Sequence, residues 1–411
     1  MILTFVYIVG GPKGKVQRRA LIMATGALPS TANIMLNKLN NLPHIVDYLN
    51  GEAVNNALRL DAYGDWTKEI LPNLKGTIKA HATIIDKGIK KLELPKGEYD
   101  LMKPRLTLDR NFSAEIPDSA DLESIIEKHK NSIACYTDGS KSEDGTGFGF
   151  LVARGPNILI DHYGKLPDYC IVYQAELTAI QTAVESLLSE QTTNESIVIL
   201  TDSQAALQQL LATTSKSKTA TRCTEVLQRL GTQNEVKLFW VPGHKGYWGN
   251  EEADILAKRG AKEGEPFKGY LPHSYLKARI KQQTQKAFTE QWTTKGPRLS
   301  RLTINDDKVK EFLKLNRRKT RMAIQILSGH AALNYHLHKM KCTSSPTCPN
   351  CGDDKETVEH FIGVCPFYAQ SRGKVFNEYY LTLTDITKQY SLRQILKFVI
   401  GTKRLDAYNS P

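Results

Sequence analysis

The sequence has no apolar run of the ~18 residues that a membrane-spanning helix needs. Its longest candidate is the opening MILTFVYIVGG, which ends after about ten residues and has no basic segment before it. The stretch is therefore a weak candidate for a signal peptide, and we interpret it as the remaining part of a larger hydrophobic core. We expect a soluble, intracellular protein, and the sequence does not distinguish nucleus from cytoplasm.

Cysteine is scarce, with seven residues in 411, an odd number that is mostly scattered, which does not indicate a disulfide framework. The sequence also lacks internal repeats and low-complexity tracts. Hydrophobic residues make up 41% and charged residues 24%, which excludes a disordered tail and a fibrous protein. At ~150 residues per domain, the length allows two or three compact units.

Charge is distributed unevenly along a chain whose formal net charge is +12. Residues 131–262 contain 12 Lys and Arg against 15 Asp and Glu, whereas residues 301–340 contain 9 against 3. A basic region beside an acidic one suggests that one part holds a polyanion while another performs chemistry with carboxylates. The alternative is a solvated basic helix face.

The apolar pattern changes along the chain and predicts its domains. Before residue 100, apolar residues recur at three- and four-residue steps, which predicts helices broken at Pro29 and Pro43. Later, short β-prone runs alternate with helical ones, which predicts an α/β domain with a mixed sheet and flanking helices. The predicted organisation is a helical segment at 1–100, a linker at 101–130, the α/β domain at 131–262, a linker with a basic helical region at 263–340, and a small helical, zinc-knuckle-like region with a tail at 341–411.

Four acids lie where predicted strands end or predicted helices begin: Asp138, Glu176, Asp202 and Asp254. Functional sites form at this rim of an α/β sheet. Carboxylates gathered there repel by ~4 kcal/mol per pair at ~4 Å and an effective dielectric near ~20, so a cluster needs a divalent cation. Oxygen ligands favour Mg²⁺ or Mn²⁺. Spacing alone leaves open that each acid is a turn residue or a helix-dipole acid.

Five segments surround these acids in order: YTDGSK, GTGFGF, QAELTAI, LTDSQAAL and WVPGHKGYWGNEEADILAK. Together they resemble a type 1 ribonuclease H domain over about residues 131–262. More narrowly, they are similar to the ribonuclease H domain of jockey-like non-LTR retrotransposon polyproteins. The resemblance implies a ribonuclease H-like fold, and it implies that Asp138, Glu176, Asp202 and Asp254 are metal ligands.

The reaction that this resemblance implies is hydrolysis of the RNA strand of an RNA–DNA hybrid by two metal ions. His244, on a mobile loop beside the acids, would assist proton transfer or product departure. Gly139, Ser140 and Gln174 are candidates for contacts to RNA 2′-hydroxyls, although small polar residues also simply form turns. Only TTSKSKTATRC stands where bacterial members carry a basic protrusion, so we expect hybrid affinity to depend on flanking regions.

A second constellation has the spacing Cys348-x2-Cys351-x8-His360-x4-Cys365. Three thiols and one imidazole at this spacing suit tetrahedral Zn²⁺, and the Pro, Asn and Gly around the CxxC favour its tight turn. The alternative is that the cysteines are small buried hydrophobes and that the histidine caps a helix.

The basic helical block LNRRKTRMAIQILSGHAALNYHLHKM precedes these cysteines. Block and cysteines together resemble the tail that follows ribonuclease H in the same retrotransposons, where it is regarded as a nucleic-acid-binding knuckle. A solvated helix face and a nuclear-import signal are the alternatives. The expected phosphate contacts are Arg317, Arg318, Lys319 and Arg321.

The stretch KVQRRALIMATGALPSTANIMLNKLNNLPH resembles the region between the polymerase core and ribonuclease H of these elements. No YxDD polymerase signature occurs in the sequence, so we do not expect polymerase activity. The resemblance implies the C-terminal part of an element protein, from a truncated copy or from a host gene derived from one.

Our leading hypothesis is thus an endoribonuclease for RNA–DNA hybrids. One alternative is a catalytically inactive, retrotransposon-derived nucleic-acid-binding protein. Another is a transposase or integrase of the same superfold, which the spacing of only 38 residues between Asp138 and Glu176 disfavours.

Overall fold

A computed structural model of the chain describes residues 13–65, 75–117, 122–243, 245–299 and 304–406. Backbone contacts divide the chain into two compact units. One unit is Val54–Ile280, and the other combines Met1–Ala53 with Lys281–Pro411. Each unit has its own buried hydrophobic core. Among the described residues, no helix combines the length and the apolarity needed to cross a bilayer.

The N-terminal part of the chain is helical, as the spacing of its apolar residues predicts. Leu36 and Leu39 lie on one helix face three residues apart and are fully buried. Pro29 and Pro43 lie between helices, where the missing N–H removes no helical hydrogen bond. The helices are α1 (Lys13–Thr25), α2 (Asn33–Leu39), α3 (Ile45–Ala62) and α4 (Gly76–Lys91).

The segment 101–130 contains regular structure, which differs from the linker that the sequence predicts. It forms β1 (Leu101–Leu106), β2 (Phe112–Glu115) and α5 (Leu122–Lys128). Phe112 of β2 is buried and pairs with Val236 of a strand far along the chain. A strand of four residues shows too little alternation of apolar and polar residues to be recognised in the sequence. Its stability comes from pairing with this distant partner.

The chain then alternates strands and helices, as predicted for an α/β domain. The first three strands form two antiparallel hairpins, and the later strands are separated by helices. The elements are β3 (Ile133–Ser142), β4 (Gly145–Arg154), β5 (Asn157–Leu166), α6 (Val172–Ser189), β6 (Ser196–Thr201), α7 (Gln204–Leu211), β7 (Thr214–Ser217), α8 (Lys218–Leu230), β8 (Glu235–Trp240), α9 (Trp248–Glu263), β9 (Glu265–Pro266) and α10 (His273–Leu299).

The main sheet has seven strands in the order β2-β8-β6-β3-β4-β5-β9. It is mixed, because β3, β6, β8 and β2 pair in parallel whereas β3, β4 and β5 pair antiparallel. β1 and β7 form a separate two-stranded antiparallel ribbon. The Asp100 carboxylate anchors this ribbon to α8 by accepting hydrogen bonds from the Thr219 N–H and hydroxyl and from the Ser217 hydroxyl.

The segment GTGFGF shows how the two faces of the sheet are covered. Strand alternation sends the two phenylalanines to one face, where Phe148 and Phe150 are fully buried. Gly147 and Gly149 point to the other face, against α9. A Cβ on Gly147 would lie 2.0 Å from the Ala261 nitrogen. The helix backbone therefore packs directly on β4, and no larger residue fits between them.

The second unit is helical around the Cys/His segment, in agreement with the helical region predicted after the α/β domain. Met322, Phe361 and Phe398 are fully buried in its core. Arg404 donates two hydrogen bonds to the fully buried Glu356 carboxylate and forms an ion pair with it. The helices are α11 (Asp306–Leu313), α12 (Arg317–Ser328), α13 (Asn334–Lys339), α14 (Ala369–Phe376), α15 (Leu383–Gln389) and α16 (Leu392–Thr402).

Replacing Gly147 by alanine tests the contact between β4 and α9. Because the new methyl would overlap helix backbone, we expect Gly147→Ala to lower the free energy of unfolding by about 3 kcal/mol. Urea unfolding of the whole chain measures the change. Gly155→Ala is the control, since Gly155 has φ +58° and open space around it, so only about 1 kcal/mol of backbone strain is expected. Equal losses in the two variants would contradict the packing argument.

Candidate metal centres

Three of the four predicted acids converge at one end of the sheet. Asp138 lies in β3, Glu176 lies near the start of α6, and Asp202 directly follows β6. One carboxylate oxygen of each lies within 4.8 Å of those of the other two. Asp138 and Glu176 are buried, whereas Asp202 is partly exposed. Asp202 is therefore the member of the cluster that solvent reaches.

Gly139 makes this convergence possible. A Cβ at this position would lie 2.4 Å from the Glu176 nitrogen, so only glycine lets α6 approach β3 so closely. The Gly139 N–H also hydrogen bonds to the carboxylates of Asp138 and Glu176. The sequence marks Gly139 as an RNA contact, whereas the structure gives it a packing role within the acid cluster.

Asp202 contacts the last residue of β8 and the segment that follows this strand. The Trp240 indole N–H donates to the Asp202 carbonyl at 2.9 Å. A Cβ on Gly243 would lie 2.7 Å from the Asp202 Oδ2 atom. Neither Trp240 nor Gly243 was predicted as a site residue, although both belong to the segment WVPGHKGYWGNEEADILAK, which resembles ribonuclease H. His244, the predicted loop histidine, lies outside the described residues.

Asp254 is not part of the cluster of three. It lies in α9, and its carboxylate forms an ion pair with Lys258 at 2.6 Å, one helical turn away. Its charge nevertheless contributes to the raised pKa of Asp138, so the two carboxylates are near each other. The role of Asp254 as a metal ligand remains a prediction, and Lys258 is its present counter-ion.

Burial makes the cluster electrostatically unfavourable without a cation. Burial, followed by the charges of Asp202 and Asp254, raises the pKa of Asp138 to about 7. Burial, followed by the charges of Asp138 and Asp202, also raises the pKa of Glu176 well above its usual range. The buried Oε2 atom of Glu176 has no hydrogen-bond partner among the described residues. An acceptor of this kind inside a carboxylate cluster fits a hard divalent cation.

The two other predicted RNA contacts lie in different surroundings. Ser140 is partly exposed and follows Asp138 by two residues in β3, so both side chains point to the same face. Gln174 is buried, and its amide caps α6 by accepting from the Ile171 N–H and donating to the Tyr270 carbonyl. Gln174 therefore has a structural role and offers no surface to RNA, whereas Ser140 remains a candidate.

The Cys/His constellation also converges. One ligand atom from each of Cys348, Cys351, His360 and Cys365 lies within 4.8 Å of the other three. The Cys351 sulfur is 3.3 Å from the His360 Nε2 atom, and the sulfurs of Cys348 and Cys365 are 3.9 Å apart. All except Cys351 are buried. Burial, with a contribution from Cys348, raises the pKa of the Cys365 thiol to about 12.

The backbone around these cysteines is arranged to support thiolates. N–H groups from the residues just after each cysteine hydrogen bond to its sulfur, for example that of Phe367 to Cys365. Gly352 takes the left-handed conformation, with φ +75°, that closes the CxxC turn. The Asp354 carboxylate lies 3.9 Å from the His360 Nδ1 atom. A carboxylate behind a ligating histidine is a common outer contact of a metal site.

The predicted basic residues do not form one patch. Arg321 is half-buried and packs its aliphatic chain on Gly26. The other residues lie at the start of α12, where Arg318 forms an ion pair with Asp406 at 3.0 Å. The N-terminal end of a helix carries positive partial charge, so cations there add to a field that favours anions. The exposed residues are Arg317, Arg318 and Lys319.

In a comparison with known proteins, one family model matches the region that contains the acid cluster. Residues 130–262 match the family model described as RNase H. The chain is 32% identical over 154 residues to the Pol polyprotein of caprine arthritis encephalitis virus (strain Cork), covering 36% of this chain and 12% of that protein. For the Pol polyprotein of equine infectious anemia virus (strain Wyoming) the identity is 26% over 166 residues, covering 40% and 13%. The chain thus spans only a small part of these relatives.

Two solved structures are also similar to part of the chain. RNase H1 from Halobacterium salinarum NRC-1 is 22% identical, with a TM-score of 0.26, and covers 31% of this chain and 96% of that one. The N-terminal RNase H domain of rv2228c from Mycobacterium tuberculosis, solved as a fusion with maltose binding protein, is 20% identical, with a TM-score of 0.27 and coverages of 32% and 93%.

The mixed sheet and its flanking helices over residues 130–262 therefore have the ribonuclease H-like fold that the sequence predicts. Within that class, the relatives named above are viral Pol polyproteins. The narrower likeness to jockey-like retrotransposons remains a prediction.

The raised pKa of Asp138 makes stability depend on pH when no metal is present. A carboxyl with a higher pKa in the folded state destabilises the fold as pH rises from about 4 to about 7, because the charged form is disfavoured there. In the presence of a chelator, we expect the free energy of unfolding of Asp138→Asn to be about 2–4 kcal/mol higher than that of wild type at pH 8. Near pH 4 the two proteins should differ little. Urea unfolding across this range measures the difference.

The matched control is Asp161→Asn, because Asp161 is exposed in β5 and outside the cluster. Its difference from wild type should stay near zero at each pH. A difference for Asp138→Asn that does not grow with pH would contradict the burial of this carboxylate. Added Mg²⁺ should reduce the advantage of Asp138→Asn, since a cation stabilises only the wild-type cluster.

Proposed function

We propose that the chain is an endoribonuclease that hydrolyses the RNA strand of RNA–DNA hybrids in a metal-dependent reaction. The observation that supports this proposal most is the convergence of Asp138, Glu176 and Asp202 within a region that matches ribonuclease H. Buried carboxylates repel one another strongly unless a cation compensates them. A purely structural role would not retain three of them at one end of a sheet.

The acids would hold divalent cations, Mg²⁺ or Mn²⁺, through oxygen ligands. When bound, two such ions lower the pKa of an attacking water and stabilise the departing 3′ oxygen. Asp138 and Glu176 would supply the buried ligands, and Asp202 would supply the ligand nearest solvent, where a phosphodiester would approach. Asp254 would be a further ligand if its carboxylate exchanged Lys258 for a cation.

The neighbouring groups orient these ligands and the substrate. The Gly139 N–H fixes the carboxylates of Asp138 and Glu176 by hydrogen bonding. Ser140, on the same strand face as Asp138, would donate to or accept from a 2′-hydroxyl and so distinguish RNA from DNA. His244, one residue after Gly243, would assist proton transfer or product departure.

For the second centre, we propose Zn²⁺ held by Cys348, Cys351, His360 and Cys365. Three thiolates and one imidazole without an open position are typical of a structural zinc site. The ion would fix the fold of the surrounding unit. The exposed cations of α12, Arg317, Arg318 and Lys319, would contact phosphates of bound nucleic acid.

We also propose that the chain derives from the C-terminal part of a jockey-like retrotransposon polyprotein. Partial matches to Pol polyproteins support an origin in a larger protein of a reverse-transcribing element. The order of a helical segment, a ribonuclease H-like domain and a Cys/His unit supports the narrower assignment.

Hybrid cleavage tests the catalytic proposal. The full chain, incubated with Mg²⁺ and a hybrid labelled on its RNA strand, should cut that strand and leave the DNA intact. Asp202→Asn should lower the rate by at least about a thousandfold, because removing one carboxylate removes a ligand of the cations. Asp161→Asn makes the same chemical change at an exposed position outside the cluster and should cleave like wild type. Folded wild type that binds the hybrid without cutting it, in Mg²⁺ and in Mn²⁺, would favour the inactive binding protein.

Zinc content tests the second centre. We expect one Zn²⁺ per purified chain by elemental analysis, and Cys365→Ser should lose it, because a closed site tolerates no missing ligand. Removing zinc with a chelator should lower the melting temperature of wild type. Cys342→Ser is the matched control, since Cys342 is exposed and outside the cluster, and it should keep both zinc and stability. Wild type that contains no zinc and is insensitive to chelation would contradict the proposal.

A further inference from the structure

Asp202 lies at the junction between a strand and a helix. β6 ends at Thr201, whose last partner in β8 is Trp240. Ser203 is the N-cap of α7, and its carbonyl accepts the first hydrogen bond of the helix backbone. The Asp202 carbonyl is thus beyond the last strand pair and before the first helical acceptor. The position of this peptide group therefore depends on contacts other than the regular bonds of strand and helix.

The Trp240 indole holds this peptide group. Its N–H donates to the Asp202 carbonyl at 2.9 Å. The indole is partly buried and packs against the hydrophobic core that α6, α7 and α8 share. The Trp240 backbone is fixed as well, because it pairs with that of Thr201 in the sheet. The donor therefore comes from a side chain whose ring and backbone are both anchored.

The carboxylate of Asp202 is bounded by the same segment of the chain. Gly243 follows Trp240 by three residues, and a Cβ there would lie 2.7 Å from the Asp202 Oδ2 atom. Carbon and oxygen atoms do not approach so closely without a bond, so a side chain at position 243 would displace the carboxylate. Residues 240–243 thus contact Asp202 both at its backbone carbonyl and at its side chain.

Asp202 needs such support more than the other two acids of the cluster do. Asp138 and Glu176 are buried, and the Gly139 N–H hydrogen bonds to both of their carboxylates. Asp202 is partly exposed, so its surroundings restrict its carboxylate less. A ligand that must be ordered when a cation binds lowers the affinity, whereas one that is already oriented does not. Groups that orient the ligands of a metal therefore control how tightly the metal binds.

We propose that Trp240 is a positioning residue that acts through Asp202. Its indole N–H keeps the Asp202 carboxylate where it can bind a divalent cation together with Asp138 and Glu176. The inference rests on the proposed function, because it requires a cation at the acid cluster. It adds that the affinity for this cation depends on a hydrogen-bond donor that is not itself a ligand.

Calorimetric titration of the full chain with Mn²⁺ tests the proposal in the absence of substrate. Wild type should bind Mn²⁺, and Asp202→Asn should lose most of this binding. Trp240→Phe keeps an aromatic ring against the core but has no N–H donor. We expect it to raise the dissociation constant for Mn²⁺ by about tenfold or more, the usual effect of removing a group that orients a metal ligand.

Hybrid cleavage provides a second measurement. For Trp240→Phe, the Mn²⁺ concentration that gives the half-maximal rate should rise by the same factor as the dissociation constant. The rate at saturating Mn²⁺ should stay within about threefold of wild type, because an occupied site has all its ligands. A purely structural role of Trp240 would lower the melting temperature and leave the metal dependence unchanged.

Trp292→Phe is the matched control. Trp292 is also partly buried and packs against a hydrophobic core, but it lies in α10 and belongs to the other compact unit. The same chemical change there should leave the affinity for Mn²⁺ as in wild type. If Trp240→Phe does not fold, 3-benzothienylalanine at position 240 repeats the test, because it keeps both rings and replaces only the N–H group by sulfur.

Wild type that binds Mn²⁺ through Asp202, together with a folded Trp240→Phe that binds it equally well, would overturn the positioning role alone. An equal loss of affinity in Trp292→Phe would also overturn it, since the effect would not be specific to the indole at Asp202. Wild type whose binding of Mn²⁺ does not depend on Asp202 would instead contradict the metal site of the proposed function, and the positioning role with it.

Discussion

The close approach of α6 to β3 at Gly139 is the contact on which the acid cluster depends. No side chain fits between the two backbones, and this absence brings Glu176 to Asp138. The same packing removes both carboxylates from water. The close approach of the two backbones therefore causes both the short distance between the carboxylates and the electrostatic cost of charging them. The fold supplies the energy that holds like charges together, and the divalent cation that we propose would compensate these charges.

Both clusters bring possible metal-binding side chains together, but the acid cluster offers oxygen atoms whereas the Cys/His cluster offers sulfur and nitrogen atoms. At the acid cluster, oxygen ligands surround a position that Asp202 leaves open to solvent, which suits a cation that must also contact a substrate. At the Cys/His cluster, three of the four ligands are buried and backbone N–H groups point at the sulfurs. A zinc ion held there, as we propose, would have no open position for a substrate and would stabilise the unit around it.

The acid constellation was predicted from the order of segments that resemble ribonuclease H, since spacing alone left the convergence of the acids open, whereas the short ligand spacing predicted the Cys/His constellation. The sequence could not predict what depends on distant partners. The strand at Phe112 is stable only beside Val236, and Gln174 is buried because the Tyr270 carbonyl accepts from its amide.

The Asp254 carboxylate forms an ion pair with Lys258. An ion pair of this kind, one helical turn apart, stabilises a helix by only about 0.3–0.5 kcal/mol. A divalent cation at ~4 Å attracts a carboxylate several times more strongly, even at an effective dielectric near ~20. The lysine pair is therefore weak enough to yield to a metal ion. The Lys258 pair is thus compatible with the proposed role of Asp254 as a ligand, and it balances a charge that would otherwise add to the repulsion around Asp138.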